Sequence, residues 1–307
     1  MSINKVDENL YILVLEKILP NFRFSMSPWV YKDEEICFLI DPGPLTTIDI
    51  LKKGLDSLKI TKDNLDYILL THIHMDHAGG TGALLSSFPN AKVICHPRGI
   101  PHLLNPEKLW EGSKKTLGPI AEAYGKIPSI PSDRIEFQEN IANNRIKAIE
   151  TLGHSPHHLS FLFKKYLFIG EAAGFHFPLQ DHLYLRPATP PIFNYDIAIS
   201  SIDKLLDLNL ADYKICYAHF GMNENAELML KIARNQLTLW FEVINNNIDK
   251  SEQKDFMREI IIELKKKDKY FANINLFDED TRKKEEYFIG NSIKGIAGYI
   301  LKKGTNK

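Results

Sequence analysis

Short apolar runs alternate with amphipathic stretches along most of this chain. Leu10 to Leu15 and Ile36 to Ile40 read as strands, the second ending abruptly at Asp41-Pro42-Gly43-Pro44. Thr46 or Thr47 then caps a helix through Leu58, because Ile48, Leu51, Leu55 and Leu58 recur at every third or fourth position. Asp66 to Leu70 and Val93 to Cys95 are further strands, with a helix starting at Ala78-Gly79-Gly80 between them. This β-α-β-α rhythm predicts sheets covered by helices.

Residues 97–131 break the rhythm with Pro, Gly, Trp110 and Tyr124, an excursion of short helices and loops. Strands resume at Arg134 to Phe137, Arg145 to Ile149, Leu159 to Phe163 and Tyr166 to Ile169, with Lys164-Lys165 as a hairpin turn. Asn194 or Asp196 caps a helix carrying Ile197, Ile199, Ile202, Leu205 and Leu206, and Lys214 to Tyr217 is another strand. After Gly221 the pattern turns helical. Asn223 opens a helix with Leu228, Met229, Ile232, Ala233, Leu237, Trp240 and Ile244 on one face, and two more follow near 252–267 and 282–301. The pattern therefore divides the chain into a main domain over 1–222 and a helical region over 223–307.

Composition narrows the function classes. The 307 residues are 44% hydrophobic and 25% charged, with net charge -1 and pI near 6.8. That balance supplies no global field for nucleic acid or an anionic membrane. The Lys265-Lys266-Lys267 run reads as a solvated helix end. No apolar stretch is long enough to span a bilayer, and the first residues are too acidic for a signal peptide. Cys37, Cys95 and Cys216 are scattered through apolar runs, which suits a reducing compartment. The expectation is a cytoplasmic protein with a small-molecule substrate.

The candidate chemistry sits in His72-Ile73-His74-Met75-Asp76-His77. Imidazole and carboxylate suit borderline divalent metals, and four such groups in six positions after an apolar strand exceed what packing explains. In an extended segment His72, His74 and Asp76 share one side. His77 follows where the chain turns into the next helix. A strand's carboxyl end is where α/β proteins commonly place ligands.

With Thr71 in front, this run resembles the signature of the metallo-β-lactamase-fold superfamily, Thr-His-x-His-x-Asp-His. Further motifs match in order over roughly residues 10 to 222. They are Asp41 in Asp41-Pro42-Gly43, His154 in Thr151-Leu152-Gly153-His154, Glu171 after Phe168-Ile169-Gly170, and His219 in Tyr217-Ala218-His219. The style is similar to a glyoxalase II-like subgroup of archaea and bacteria. The resemblance implies an αββα sandwich (α/β class) with a C-terminal helical extension that walls a substrate pocket. It also implies one metal on His72, His74 and His154 and a second on Asp76, His77 and His219, with Glu171 and a water or hydroxide between them. Zinc comes first, with iron or manganese as alternatives. By the same resemblance Asp76 and Glu171 would be the catalytic carboxylates. Asp41 and His158 would support the ligands from behind. Glu171 stands where the family usually has Asp, so its extra methylene must be absorbed for it to bridge.

His176, His182, Tyr184 and Arg186 follow Glu171 and are expected to border substrate, with Arg186 able to hold a carboxylate bidentately. An ordinary surface loop is the equal alternative for that stretch. His96 reads as a hydrogen-bonded loop residue, and Gly79, Gly80 and Gly82 as helix-packing positions. The resemblance favours hydrolysis of a small thioester, lactone or ester through a metal-held hydroxide. A phosphodiesterase or nuclease is the second reading, disfavoured by the missing basic groove. An iron-dependent persulfide dioxygenase-like oxidoreductase is the third. An apolar face on the C-terminal helices would serve a homodimer as readily as a pocket.

Overall fold

A computed structural model of the chain describes residues 2–19 and 22–305, which fall into two compact units. The first unit holds residues 1–150 and 157–164, the second residues 151–156 and 165–307.

The first unit opens with strands β1 (Ser2–Lys5), β2 (Leu10–Leu19), β3 (Phe22–Met26), β4 (Trp29–Lys32) and β5 (Cys37–Ile40). Helix α1 (Ile48–Ser57) leads to β6 (Tyr67–Leu69), and the short helices α2 (Met75–Ala78) and α3 (Thr81–Leu85) lead to β7 (Lys92–Ile94). Helices α4 (Ile100–Leu104), α5 (Glu107–Leu117) and α6 (Pro119–Tyr124) fill the Pro- and Gly-rich excursion before β8 (Ile135–Glu136). The sheet runs β1-β2-β4-β5-β6-β7-β8, with β3 paired to β2. Its first strands are antiparallel, and β5 to β8 are parallel. Parallel strands joined by helices are covered on their faces. That is why Cys37-Phe38-Leu39-Ile40 is buried throughout and reads as an unbroken apolar run. Leu51 and Leu55 of α1 pack into the same core as Leu39, Ile68 and Val93. Strands β9 (Asn140–Ile141), β10 (Ile146–Glu150) and β11 (Leu159–Phe163) complete this unit as an antiparallel set.

The second unit begins its sheet with β12 (Tyr166–Gly170), followed by the hairpin β13 (Phe175–Leu179) and β14 (His182–Arg186). Helix α7 (Tyr195–Leu206) precedes β15 (Lys214–Tyr217), which runs parallel to β12 and antiparallel to β16 (Met222–Asn223). Helices α8 (Ala226–Asn245), α9 (Phe256–Lys267) and α10 (Glu279–Thr305) end the chain. Asn194 caps α7 by accepting from the Ile197 amide. Asn225, two residues after the predicted start, caps α8 by accepting from Leu228.

The predicted strands and helices are present at nearly their expected places. The additions are β1, β3, β4, β9, β16 and the β13–β14 hairpin. The compact units divide the chain differently from the 222/223 boundary, since α8 to α10 belong with β12 to β16. Among the described residues no helix is long and apolar enough to cross a membrane.

Candidate metal centre

In the first unit the histidine run leaves β6 at its carboxyl end and turns into α2, with His74 as the residue before the helix. A second loop, after the neighbouring parallel strand β5, supplies Asp41. Asp41 adopts left-handed backbone geometry (φ 50°) and is buried. One of its oxygens accepts from the Thr71 amide at 2.8 Å. The other accepts from Thr71 Oγ1 at 2.6 Å and lies 2.9 Å from His77 Nδ1. A carboxylate at Nδ1 fixes the tautomer and turns Nε2 of His77 to the other side, where it could hold a metal. Thr71 Oγ1 also lies 3.0 Å from His72 Nδ1, so Nε2 of His72 faces His74 Nδ1 at 2.9 Å. The ligand atoms of Asp76 and His77 likewise lie within 4.8 Å of each other. His158 is fully buried and stacks on His72, with ring centroids 5.2 Å apart. His157 meets His74 edge-on at 6.1 Å.

Glycines let these loops close. The Gly43 amide donates to the His77 carbonyl, and the Gly80 amide donates to the Gly43 carbonyl, each at 2.9 Å. A Cβ at Gly80 would come within 2.3 Å of Ile48. The glycines after the motif therefore serve helix packing, as their sequence context suggests. His96, held 2.9 Å from Glu150 and accepting from the Arg98 amide, is a hydrogen-bonded loop residue. Its pKa is lowered by burial.

In the second unit His154 sits in a turn shaped by Gly153 (φ 127°), where a Cβ would meet the α7 backbone at Ala198 within 2.5 Å. Ser201 of α7 donates to the Leu152 carbonyl at 2.7 Å and helps hold this segment. His154 Nδ1 donates to the Ala188 carbonyl at 2.9 Å, so Nε2 is the nitrogen that could hold a metal. Gly170 (φ 58°) turns the chain out of β12 into Glu171. The carboxylate of Glu171 then lies between two imidazoles, with Oε2 3.1 Å from His154 Nε2 and Oε1 3.4 Å from His219 Nε2. His219 follows β15 and rests against Phe175, centroids 5.3 Å apart. A small cleft, partly open to solvent, has His154 and Glu171 in its wall beside Leu152, Phe193, Ile202 and Leu237.

In each unit imidazole nitrogens and carboxylate oxygens converge, and the outer nitrogens of His72, His77 and His154 are engaged by protein oxygens. This is donor chemistry that fits a divalent metal.

The residues expected to border substrate differ in their placement. They belong to the β13–β14 hairpin, and three of the four point inward. His176 is buried, stacks on Tyr217 at 4.5 Å and donates to the Phe220 carbonyl at 2.6 Å. Burial lowers its pKa to about 4. Arg186 is buried and paired with Glu285 of α10, at 2.6 Å through Nε and 3.3 Å through Nη2. Tyr184 donates to the same carboxylate at 3.0 Å. Arg186 is thus an internal ion-pair residue rather than an open carboxylate clamp, because the C-terminal helix brings its counter-charge. Only His182 is exposed. Thr71, the Ala188 carbonyl and Glu285 are site contributors without an expected role. Thr71 was visible within the motif, but a carbonyl carries no sequence signal, and Glu285 reads as one charge among many.

A sequence profile of the metallo-β-lactamase superfamily matches residues 24–219. A metallo-β-lactamase fold-containing protein of Sulfurisphaera tokodaii, ST1585, is 32% identical over 169 residues, 52% of this chain and 62% of that protein. A hydroxyacylglutathione hydrolase of Buchnera aphidicola is 31% identical over 146 residues, 47% of this chain and 45% of that protein. The matches thus span about half the length of these curated relatives. The crystal structure of ST1585 is similar with a TM-score of 0.66 at 23% identity, covering 94% of this chain and 98% of that one. A metallo-β-lactamase family protein of Thermus thermophilus, TTHA1429, gives 0.66 at 17% identity, covering 98% and 95%.

Proposed function

Since the chain belongs to the metallo-β-lactamase superfamily and has its fold, we propose that it is a metallohydrolase acting on a small thioester, lactone or ester with two divalent ions, zinc first among them. By the superfamily's motif order His72, His74 and His154 would hold one ion, Asp76, His77 and His219 the other, and Glu171 would be shared. The observation that carries the reading is Glu171, whose two oxygens each face a histidine assigned to a different ion. The longer side chain therefore still reaches both histidines.

Bound there, the ions would lower the pKa of water to about 7 and polarise the scissile carbonyl. The chain's own work is orientation and proton handling. Asp41 and the Ala188 carbonyl hold the Nδ1 protons of His77 and His154. Asp76 and Glu171 are the carboxylates able to take up the proton that the attacking water gives up.

Three features support a small organic ester over a phosphodiester. The relatives include a hydroxyacylglutathione hydrolase, the net charge is -1, and the residues lining the cleft beside His154 and Glu171 include no Lys or Arg to grip a phosphate. The three buried free thiols support a cytoplasmic address. The deciding experiment is elemental analysis of protein purified without chelator or added metal, followed by parallel assays. Two equivalents of metal and turnover of a thioester or lactone panel are expected. Turnover of a nitrophenyl phosphodiester alone would replace the reading with a phosphodiesterase. One equivalent of iron with oxygen uptake on a glutathione persulfide would replace it with a dioxygenase.

A further inference from the structure

The metal ligand His154 is oriented by a backbone carbonyl, and a carbonyl orients a ligand only as well as its own segment is held. Ala188 lies in the link between β14 and α7, a stretch with no ladder hydrogen bonds of its own. Arg186 Nη1 donates to the Pro187 carbonyl at 3.3 Å, and the bonds on both sides of Ala188 come from the C-terminal helix. Ser292 of α10 donates through Oγ to the Pro187 carbonyl at 3.0 Å and accepts from the Thr189 amide at 3.5 Å. Thr189 Oγ1 donates to the Ser292 carbonyl at 2.8 Å. One serine therefore grips the residues on both sides of Ala188. The same hydroxyl accepts from Arg186 Nη1 at 3.4 Å, so its one donor and two acceptor positions are all used. Gly295, one turn further along α10, allows this approach. A Cβ there would stand 2.0 Å from the Thr189 carbonyl oxygen and 2.6 Å from that of Pro190. Ser292 and Thr189 are both buried, so water does not compete for these bonds.

We propose that Ser292 is a positioning residue for His154, acting through Pro187 and Thr189 to fix the Ala188 carbonyl and hence the direction of the ligand nitrogen. The C-terminal helix thereby tunes a metal site whose ligands all lie before it in sequence. This rests on the assignment of His154 as a metal ligand. Groups that orient ligating imidazoles typically change metal affinity by about 10–100-fold when removed.

The test compares wild type with Ser292→Ala and, separately, Thr189→Val, which removes the reciprocal bond at nearly constant shape. Zinc affinity is read by chelator competition, ligand geometry by the visible spectrum of the cobalt(II)-substituted protein, and stability by urea unfolding of the metal-free protein. About tenfold weaker binding of one of the two ions is expected, with an altered cobalt spectrum and partial recovery in Ser292→Thr. Wild-type affinity and spectrum in both variants would overturn the proposal. Ile260→Val, a trimmed core residue on α9, serves as the softening control and is expected to leave the metal untouched. If it weakens binding as much as Ser292→Ala does, the effect is general loosening and the proposal falls. A wild-type chain that takes up no metal would overturn the metal assignment itself, and this proposal with it.

Discussion

Asp41 satisfies three donors with one carboxylate: the Thr71 amide, the Thr71 hydroxyl and His77 Nδ1. It does so from a left-handed backbone position that Asn tolerates well. Asp41→Asn is therefore expected to fold, yet to lose the charge that holds the His77 tautomer. Zinc affinity should drop by about 10–100-fold, measured by chelator competition. Unchanged affinity would mean that His77 is oriented by something else. Glu171→Asp tests the other departure from ordinary ligands. The side chain now spans both histidines, and shortening it by about 1.5 Å should weaken metal binding and lower turnover. A large rise in affinity would instead show glutamate to be the poorer fit.

His176 gives a pH prediction at the same scale. Burial lowers its pKa to about 4, against about 6.5 in an unfolded chain. The unfolded state then binds the extra proton first, so stability is full above about pH 6.5 and falls as pH drops towards about 4. The loss should be about 3 kcal/mol across that window. It is measured as the difference in urea unfolding between metal-free wild type and His176→Phe, a ring that keeps the stack on Tyr217. A pH-independent difference between the two proteins would show that His176 is not held neutral.

At the scale of elements, the hairpin β13–β14 and helix α10 act together. Arg186 and Glu285 are 99 residues apart and both buried. Removing one partner leaves a buried charge uncompensated, so Glu285→Ala should cost about 3–5 kcal/mol of unfolding free energy. Replacing both by apolar residues of similar volume should cost far less. A small loss for Glu285→Ala would mean that water reaches Arg186. This pair also marks where sequence reading stops. The histidine run was legible because its density of metal-binding groups after a strand has no packing explanation, and Asp41 because Asp41-Pro42-Gly43 resembles the superfamily's first motif. The hairpin was not. Pro178 argues in sequence against the first strand, which nonetheless runs through it, and in the second Tyr184, Leu185 and Arg186 are buried on consecutive positions, without the alternation that signals a strand. Arg186 read as a free cation because its partner arrives from a distant helix. Glu285 sits among Lys283, Lys284 and Glu286, a charge run that looks solvated.

For the molecule as a whole, charge separates the competing chemistries more sharply than fold does, since one fold can carry several activities. With 38 Lys and Arg against 39 Asp and Glu, no long-range field gathers polyanions at any face by sheer excess. An enzyme of a small ester needs none. Its kcat/KM should change by less than about threefold between about 50 and 200 mM salt, because steering contributes little and the reacting groups lie well inside a Debye length. A nuclease gripping six to ten phosphates would lose about 10³–10⁵ in affinity over the same range. The measurement is a salt series on the best thioester or lactone substrate, run beside binding of single- and double-stranded nucleic acid. Flat ester kinetics with negligible nucleic-acid binding is the expected outcome. A steep salt dependence would mean that a basic surface, invisible in the overall balance, gathers the substrate, and the small-ester reading would give way to a phosphodiester one.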